Sequence, residues 1–263
     1  MNAPGAATNL RRAGGASPAG ARQPVAGSGS AQGWGSAAGP GSPGGSGSAG
    51  GPAPIGSPGS ANGLRPDLAL IAEWVAPGAR VLDLGCGDGA LMAWLQSRKA
   101  CRGYGVEIND EQVLACVRHG VDVIQQDIEA GLGMFRAVSF DVVVLSMAIQ
   151  ATHQTERVLR EMSEVGREGI VSFPNFGHWY HAWSILRGRM PVSREMPYHW
   201  YDTPNLHLAT VKDFEDFLAH LGLEITGRAF LNDGRPVRWL PGLRSTQAIY
   251  RFRRGDDRRV NRP

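Results

Sequence analysis

The chain has 263 residues, 42% of them hydrophobic, which is enough for one domain of ordinary size. Its net charge of +3 comes from the ends: residues 1–62 carry three arginines and no acid, the stretch from Arg251 adds four positive charges, and about −4 remains for the part between. This distribution argues against a nucleic-acid groove in the fold, and no apolar run approaches the roughly 18 residues of a membrane span, so neither partner is expected.

The first segment, residues 1–62, consists almost entirely of Gly, Ala, Ser and Pro. Its few apolar residues follow neither a strand nor a helix period, so ordering it would cost backbone entropy with little burial in return. We predict a disordered extension over residues 1–62, a folded domain over residues 63–253 and a flexible basic tail over residues 254–263.

Apolar runs of strand length alternate with amphipathic stretches of helix length from Leu64 onward, which is typical of an α/β domain. The elements predicted before residue 127 are a strand ending at Gly85, a helix over 90–98, a strand ending at Ile108, a helix over 110–118 and a short strand before Gln126. Those predicted after residue 138 are a strand in SFDVVVLSM, a helix over 155–165, a strand stopped by Pro174, a helix ended by Gly222 and a hairpin-like pair of strands.

This order predicts a doubly wound, mainly parallel, seven-stranded sheet of the Rossmann-like type, with ligands bound at the switch point after the first strand. The glycine loop VLDLGCGDG, residues 81–89, lies at that point. Glycine lets the backbone bend sharply and approach a ligand, and free N–H groups at the start of the following helix favour an anionic group. Tight strand-to-helix turns and dinucleotide sites also use such glycines, so the loop alone leaves the ligand open.

Three acids follow successive predicted strands and narrow the choice of cofactor. Asp83 precedes the first glycine and can accept from an ammonium group, Glu107 can accept from ribose hydroxyls, and Asp127 can accept from an adenine amino group. Singly they are equally consistent with a strand-end acid, a surface acid and a helix N-cap. Together they favour S-adenosyl-L-methionine over a nicotinamide dinucleotide, which does not require Asp83.

Two sets of motifs resemble known families. VLDLGCGDG, GVEIN and QQDIE match the first three motifs of class I S-adenosylmethionine-dependent methyltransferases. RPDLALIAEWVAPGARVLDLGCGDG, FPNFGHW, MPYHWYDTPNLHLAT and DFEDF resemble the MetW family of methionine biosynthesis, over about residues 64–253. The resemblance implies a methyltransferase fold and a role alongside the homoserine O-acyltransferase, with no established methyl acceptor. The expected cofactor contacts are Asp83, Gly85, Cys86, Gly87, Gly89, Glu107, Ile108, Asp127, Ile128 and Ser146.

The region after the fourth strand, SMAIQATHQ, lacks the Asn/Asp-Pro-Pro-aromatic pattern of many amino-methylating enzymes, which disfavours DNA methylation. His153 and His207 are the best candidates for a general base, and Trp179 and Trp200 for walls that exclude water. Other polar groups of the long connection over residues 175–210 are Asn175, His178, His199 and Asn205. The same connection can instead form a protein interface, because Trp, Tyr and Met are enriched there.

Two functions are therefore open. The preferred one is a partner subunit that binds the acyltransferase and uses the cofactor to sense methionine status; the alternative is an active methyltransferase on a small-molecule acceptor. Cys86, Cys101 and Cys116 have no metal-ligand spacing and are expected to be free thiols of a cytoplasmic protein. Cys86 lies in the glycine loop, where packing explains a small side chain better than nucleophilic catalysis does.

Overall fold

The computed structural model describes residues 63–193 and 207–255. The predicted disordered extension, nearly all of the predicted tail, and the candidates His199, Trp200 and Asn205 lie outside these ranges. In chain order the elements are α1 (Pro66–Trp74), β1 (Arg80–Leu84), α2 (Ala90–Lys99), β2 (Arg102–Glu107), α3 (Asp110–Arg118), β3 (Val123–Gln125), β4 (Phe140–Ser146), α4 (Thr155–Val165), β5 (Gly166–Pro174), α5 (Trp179–Leu186), α6 (Val211–His220), β6 (Leu223–Asn232), β7 (Arg235–Pro236), α7 (Pro241–Arg244) and β8 (Gln247–Arg254).

The strands form one sheet in the order β3-β2-β1-β4-β5-β8-β6-β7. The first five pair in parallel, whereas β8 runs antiparallel between β5 and β6. The strand order reverses beside β1, so the predicted doubly wound, mainly parallel, Rossmann-like sheet is confirmed. The seven predicted strands are present, and the two-residue strand β7 adds an eighth at the edge beside β6.

The sheet is buried on both faces because its central strands are almost continuously apolar. Along β4, Val143 and Leu145 pack on one face with α4 and α6, while Val142 and Val144 pack on the other with α1 and α2. Burying both faces in this way is the arrangement expected for parallel strands between helical layers. It leaves the carboxyl ends of β1, β2 and β4 as the polar edge of the sheet.

Helices α3 and α6 start at side-chain caps of residue types that favour a helix start. Asn109 accepts hydrogen bonds from the backbone N–H groups of Glu111 and Gln112 at the start of α3. Thr210 and Asp213 form a reciprocal capping box at the start of α6. Both caps satisfy N–H groups that would otherwise lack partners.

Helices α1 and α5 were not predicted from the sequence. Helix α1 begins with Pro66 at its first turn, and α5 lies inside the long connection after β5, for which the sequence predicts no helix. His178 caps α5 by accepting from the backbone N–H of Tyr180. Among the described helices, none is both long enough and apolar enough to cross a membrane.

Candidate functional site

The glycine loop turns from β1 into α2 with left-handed backbone at Gly85, Gly87 and Gly89. Side chains rarely tolerate these φ angles of 65°, 56° and 77°, which explains why glycine occupies all three positions. The backbone N–H groups of Gly85 and Cys86 donate to the carbonyl oxygen of Val106, at 2.8 and 3.1 Å. The loop is thereby fastened to the end of β2.

Glu107, at the end of β2, joins the glycine loop to the turn before α3. Its Oε2 accepts from the backbone N–H of Gly87 at 2.9 Å, and its Oε1 accepts from those of Ile108 and Asn109, both at 2.9 Å. A carboxylate has about four acceptor positions, so these bonds leave one, on Oε2. By this count one acceptor position of Glu107 has no donor from the protein.

A cavity of about 380 Å³ opens between the glycine loop and the turn after β3. We call it the glycine cleft; it is lined by Gly85, Glu107, Ile108, Gln126, Asp127, Ile128, Glu129, Ala148, Ala151, Thr152 and His153. The structure thus brings five of the expected cofactor contacts to one cleft. Asp127 also caps the short 3₁₀ turn over residues 128–130, with Oδ1 accepting from the N–H of Glu129 at 2.8 Å. Asp127 therefore has the expected capping role and also lines the glycine cleft.

Asp83 does not line the glycine cleft but lies buried at the end of β1, on the side of α1. Burial raises the pKa of Asp83 to about 7; the positive charge of Arg65 acts against this rise, and the negative charges of Glu107 and Asp88 add to it. None of the described residues donates a hydrogen bond to its carboxylate. A largely buried carboxylate to which no described residue donates is free to accept a hydrogen bond from a ligand.

A polar cluster near Asp83 connects α1 to the end of β4. The Arg65 guanidinium donates to both carboxylate oxygens of the buried Asp67, at 3.2 and 2.9 Å, and to Ser146 Oγ at 3.2 Å. Ser146 in turn bonds Asp67 at 3.1 Å and Ser172 at 3.0 Å. Ser146, an expected cofactor contact, is therefore held within this cluster and does not line the glycine cleft.

Cys86 and Gly89 both pack against Cys116 of α3. The Sγ atoms of Cys86 and Cys116 are 3.6 Å apart, and burial raises the pKa of both thiols. A β-carbon on Gly89 would come within 3.0 Å of the Cys116 sulfur. Thiols with raised pKa are poor nucleophiles, so the packing role proposed for Cys86 accounts for its surroundings.

The two candidate bases lie at different clefts. His153 lines the glycine cleft beside Glu129, with Nδ1 3.3 Å from Glu129 Oε2. Backbone hydrogen bonds, first from Gln154 and then from His153, hold the pKa of Glu129 below its ordinary value. His207 lines a second cavity, of about 300 Å³, which we call the phenylalanine cleft; its other lining residues are Ile149, Gln150, Thr155, Phe173, Pro174, Ala209, Asp213, Phe214 and Phe217.

The candidates in the long connection separate into structural and exposed residues. Asn175 is fully buried: its Nδ2 donates to the carbonyl oxygens of Gly242 and Ser245, both at 2.9 Å. His178 is buried at the start of α5, whereas Trp179 is exposed to solvent and lines neither of the two clefts. No group of three potential metal ligands occurs in the described ranges.

Sequence reasoning missed two groups of residues at this site. Arg65 and Asp67 stand in the sequence RPD just before and within α1, where an acid in a first turn is a helix-start signal. Glu129, Ala148 and Thr152 line the glycine cleft from turns whose course depends on tertiary packing. Only the first group had a signal in the sequence.

Comparison with known proteins agrees with this architecture. The family model of the methionine biosynthesis protein MetW matches residues 65–252. The bifunctional methionine biosynthesis protein MetXA/MetW of Rhodopirellula baltica is 34% identical over 205 residues, which are 73% of this chain and 33% of that protein, so the chain spans a third of its relative.

Solved structures of low identity share the fold. An S-adenosylmethionine-dependent methyltransferase from Mesorhizobium loti superposes with a TM-score of 0.54 at 17% identity, over 71% of this chain and 96% of that one. One from Archaeoglobus fulgidus superposes with a TM-score of 0.50 at 16% identity, over 70% and 90%. With the family match covering almost all of the folded part, the chain belongs to the methionine biosynthesis protein MetW family.

Proposed function

We propose that this chain binds S-adenosyl-L-methionine at the glycine cleft and acts with the homoserine O-acyltransferase in methionine biosynthesis, with the cofactor serving as a signal of methionine status. The observation that carries the proposal is the meeting of Gly85, Glu107 and Asp127 around one cavity. Its volume of about 380 Å³ falls within the range of about 300 to 1,000 Å³ that is usual for small-molecule sites.

The residues of the cleft suit an adenosyl group in their chemistry. Glu107 retains one acceptor position for a ribose hydroxyl, and Asp127 retains Oδ2 for an exocyclic amino group. Ile108 and Ile128 supply apolar surface for a base. A pyrophosphate, in contrast, would meet three carboxylates here, those of Glu107, Asp127 and Glu129, which disfavours a dinucleotide.

The amino-acid end of the cofactor needs partners of both signs. Asp83 is a buried carboxylate without a donor among the described residues, which suits an ammonium group. The side chain of Arg65 is 42% exposed, and its positive charge lies close enough to Asp83 to oppose the rise in the pKa of Asp83. An exposed guanidinium at this place suits the carboxylate of the cofactor. We therefore assign this pair to the amino-acid end and the glycine cleft to the adenosyl end.

The role of the partner comes from the family. In the Rhodopirellula relative, MetXA and MetW are named together in one bifunctional protein. A permanent link between two proteins is an effective way to keep them at high local concentration, which suits proteins that act together. This supports the acyltransferase as the partner of a separate MetW chain.

Binding titrations with two ligands test the cofactor assignment. S-adenosylhomocysteine and methylthioadenosine share the adenosyl group, and only the first carries an amino-acid end. We expect both to bind. Arg65→Ala should weaken S-adenosylhomocysteine at least about tenfold, the size of a lost hydrogen bond between charged groups, and leave methylthioadenosine unchanged. Isothermal titration calorimetry measures both affinities.

Arg80→Ala is the matched control, because Arg80 lies at the opposite end of β1 and pairs with Asp141. An equal loss for both ligands in Arg65→Ala would mean that Arg65 acts only by holding α1 through Asp67. If neither ligand binds the unaltered chain, the cofactor proposal is wrong.

The phenylalanine cleft supports a second candidate, methyl transfer to a small acceptor. It adjoins the glycine cleft across the 3₁₀ turn over residues 149–151, and it offers apolar walls together with His207. Gln150 Oε1 is buried there without a hydrogen-bond partner among the described residues. It can therefore accept a hydrogen bond from the substrate to be methylated. S-adenosyl-L-methionine supplies an activated methyl group when bound. Label transferred from it to a metabolite by the unaltered chain, and not by Asp83→Ala, would establish this activity.

A further inference from the structure

Helix α5 turns its apolar face toward solvent. Trp179, Trp183 and Leu186 stand at positions i, i+4 and i+7 and so share one face of the helix. These residues are 55%, 49% and 78% exposed, and Tyr180 and Ile185 are also exposed, at 44% and 49%, whereas His181 is buried. Surface helices normally direct the apolar face to the core, and a contiguous exposed apolar patch marks an interaction site.

Helix α7 adds more apolar surface beside the start of α5. The buried Asn175 joins the two, since its Nδ2 donates to the carbonyl oxygen of Gly242 at 2.9 Å. Trp239 and Leu243 are 67% and 49% exposed. We call these two exposed groups together the tryptophan surface; its residues are Trp179, Trp183, Leu186, Trp239 and Leu243.

Arginines accompany the apolar side chains of the tryptophan surface. The two segments that carry it, residues 175–193 and 234–246, contain no acid and five arginines: Arg187, Arg189, Arg235, Arg238 and Arg244. Arg187 lies 4.9 Å from the ring centre of Trp183, and Arg244 lies 5.6 Å from that of Trp239. Within the described ranges none of the five pairs with a carboxylate. The surface therefore calls for an occupant that is both apolar and acidic.

Charge excludes two occupants from within this protein. A symmetric dimer would bring the same patch of both copies together, and five arginines would face five arginines. The N-terminal segment, residues 1–62, offers three arginines, no acid and few large apolar side chains, so it lacks the charge that the surface requires. Neither of these two therefore supplies the acidic and apolar surface that suits the tryptophans and arginines.

We propose that the tryptophan surface is the docking site for the homoserine O-acyltransferase, through a patch on that enzyme with an apolar centre and a border of carboxylates. This rests on the partnership stated under the proposed function. Tryptophan and arginine are the residue types that dominate binding energy at protein interfaces. An anionic membrane matches the same charges, but the bifunctional relative links this family to a protein partner.

The test measures binding of the full chain to the homoserine O-acyltransferase of the same organism by biolayer interferometry. Trp183→Asp should weaken the complex at least about thirty-fold, the loss typical of a hot-spot residue. The matched control is Leu114→Asp, since Leu114 is 55% exposed on α3, away from the two segments. S-adenosylhomocysteine affinity, measured for both variants, should stay at its original value and so show that each variant is folded.

Each other outcome overturns the proposal in a recognisable way. Equal acyltransferase affinities for Trp183→Asp and the unaltered chain would show that the tryptophan surface is not the docking site, although the two proteins bind each other. If the unaltered chain forms no complex with the acyltransferase, the proposed partnership is wrong as well. A dimer of the chain that Trp183→Asp dissociates would identify a second copy as the occupant. Loss of binding to phosphatidylglycerol vesicles with an unchanged acyltransferase affinity would identify a membrane.

Discussion

Asp83 combines a structural cost with a proposed binding role. Burial raises its pKa to about 7, whereas an unfolded aspartate titrates near 3.9. Between about pH 4 and pH 7 the folded chain keeps a proton that the unfolded chain has lost, so the contribution of Asp83 to stability falls as pH rises through this window. Asp83→Asn removes the titrating group. We expect the variant to be more stable than the parent by roughly 1 to 4 kcal/mol at pH 8, with the gap closing toward pH 4.

Urea unfolding at pH 4.5, 6 and 8 measures this gap. Asp141→Asn is the control with the opposite sign, because hydrogen bonds from Arg80 lower the pKa of Asp141 and its loss should destabilise at neutral pH. A gap that is constant with pH would show that Asp83 does not titrate in this range. The charges that act on Asp83 are those of Arg65, Glu107 and Asp88, and all three remain in the variant.

At the scale of elements, the glycine loop and β2 are packed too closely for an added methyl group. A β-carbon on Gly105 would lie 2.4 Å from the Sγ of Cys86 and 3.1 Å from its Cβ. We expect Gly105→Ala to destabilise the fold by about 1 to 3 kcal/mol, as overpacking does, and to weaken S-adenosylhomocysteine binding by displacing the loop. Adding Cys86→Ala removes the clashing sulfur and should restore part of both losses.

A double-mutant cycle of these four proteins, followed by urea unfolding, gives the coupling energy between the two positions. Direct contact predicts a coupling of about 0.5 to 3 kcal/mol. Gly133→Ala controls for the effect of a glycine-to-alanine change, because a β-carbon there would meet no atom within 4 Å. Additive losses would mean that the Gly105 and Cys86 positions do not interact, which would contradict the expected clash.

The sequence was sufficient for elements whose signals are local. Continuous apolar runs identified β1 and β4, and the apolar face ended by Gly222 identified α6. The sequence does not predict helix α5, because its apolar residues face solvent and do not alternate with polar ones at a helical period. The segment therefore resembles an irregular connection rich in aromatic residues. The two-residue strand β7 has too few residues for any period to show.

The site shows the same division between local and tertiary signals. The positions of Gly85, Glu107 and Asp127 around one cleft follow from strand order, because the carboxyl ends of neighbouring parallel strands meet. The separation of Asp83 from that cleft, and of His153 from His207, depends on which face each side chain takes and how the later turns pack. Sequence spacing does not contain that information.

At the scale of the whole molecule, the fold should not require residues 1–62. The buried residues of α1, such as Ile71, pack in a cluster formed entirely by residues between Leu64 and Ile249. We expect a chain that begins at Gly63 to match the full chain in melting temperature and in affinity for S-adenosylhomocysteine and the acyltransferase. Ligand at a hundred times its dissociation constant should raise both melting temperatures equally, by roughly 5 to 10 °C. Differential scanning fluorimetry measures this, and a smaller shift for the short chain would mean that the N-terminal segment contributes to the cofactor site.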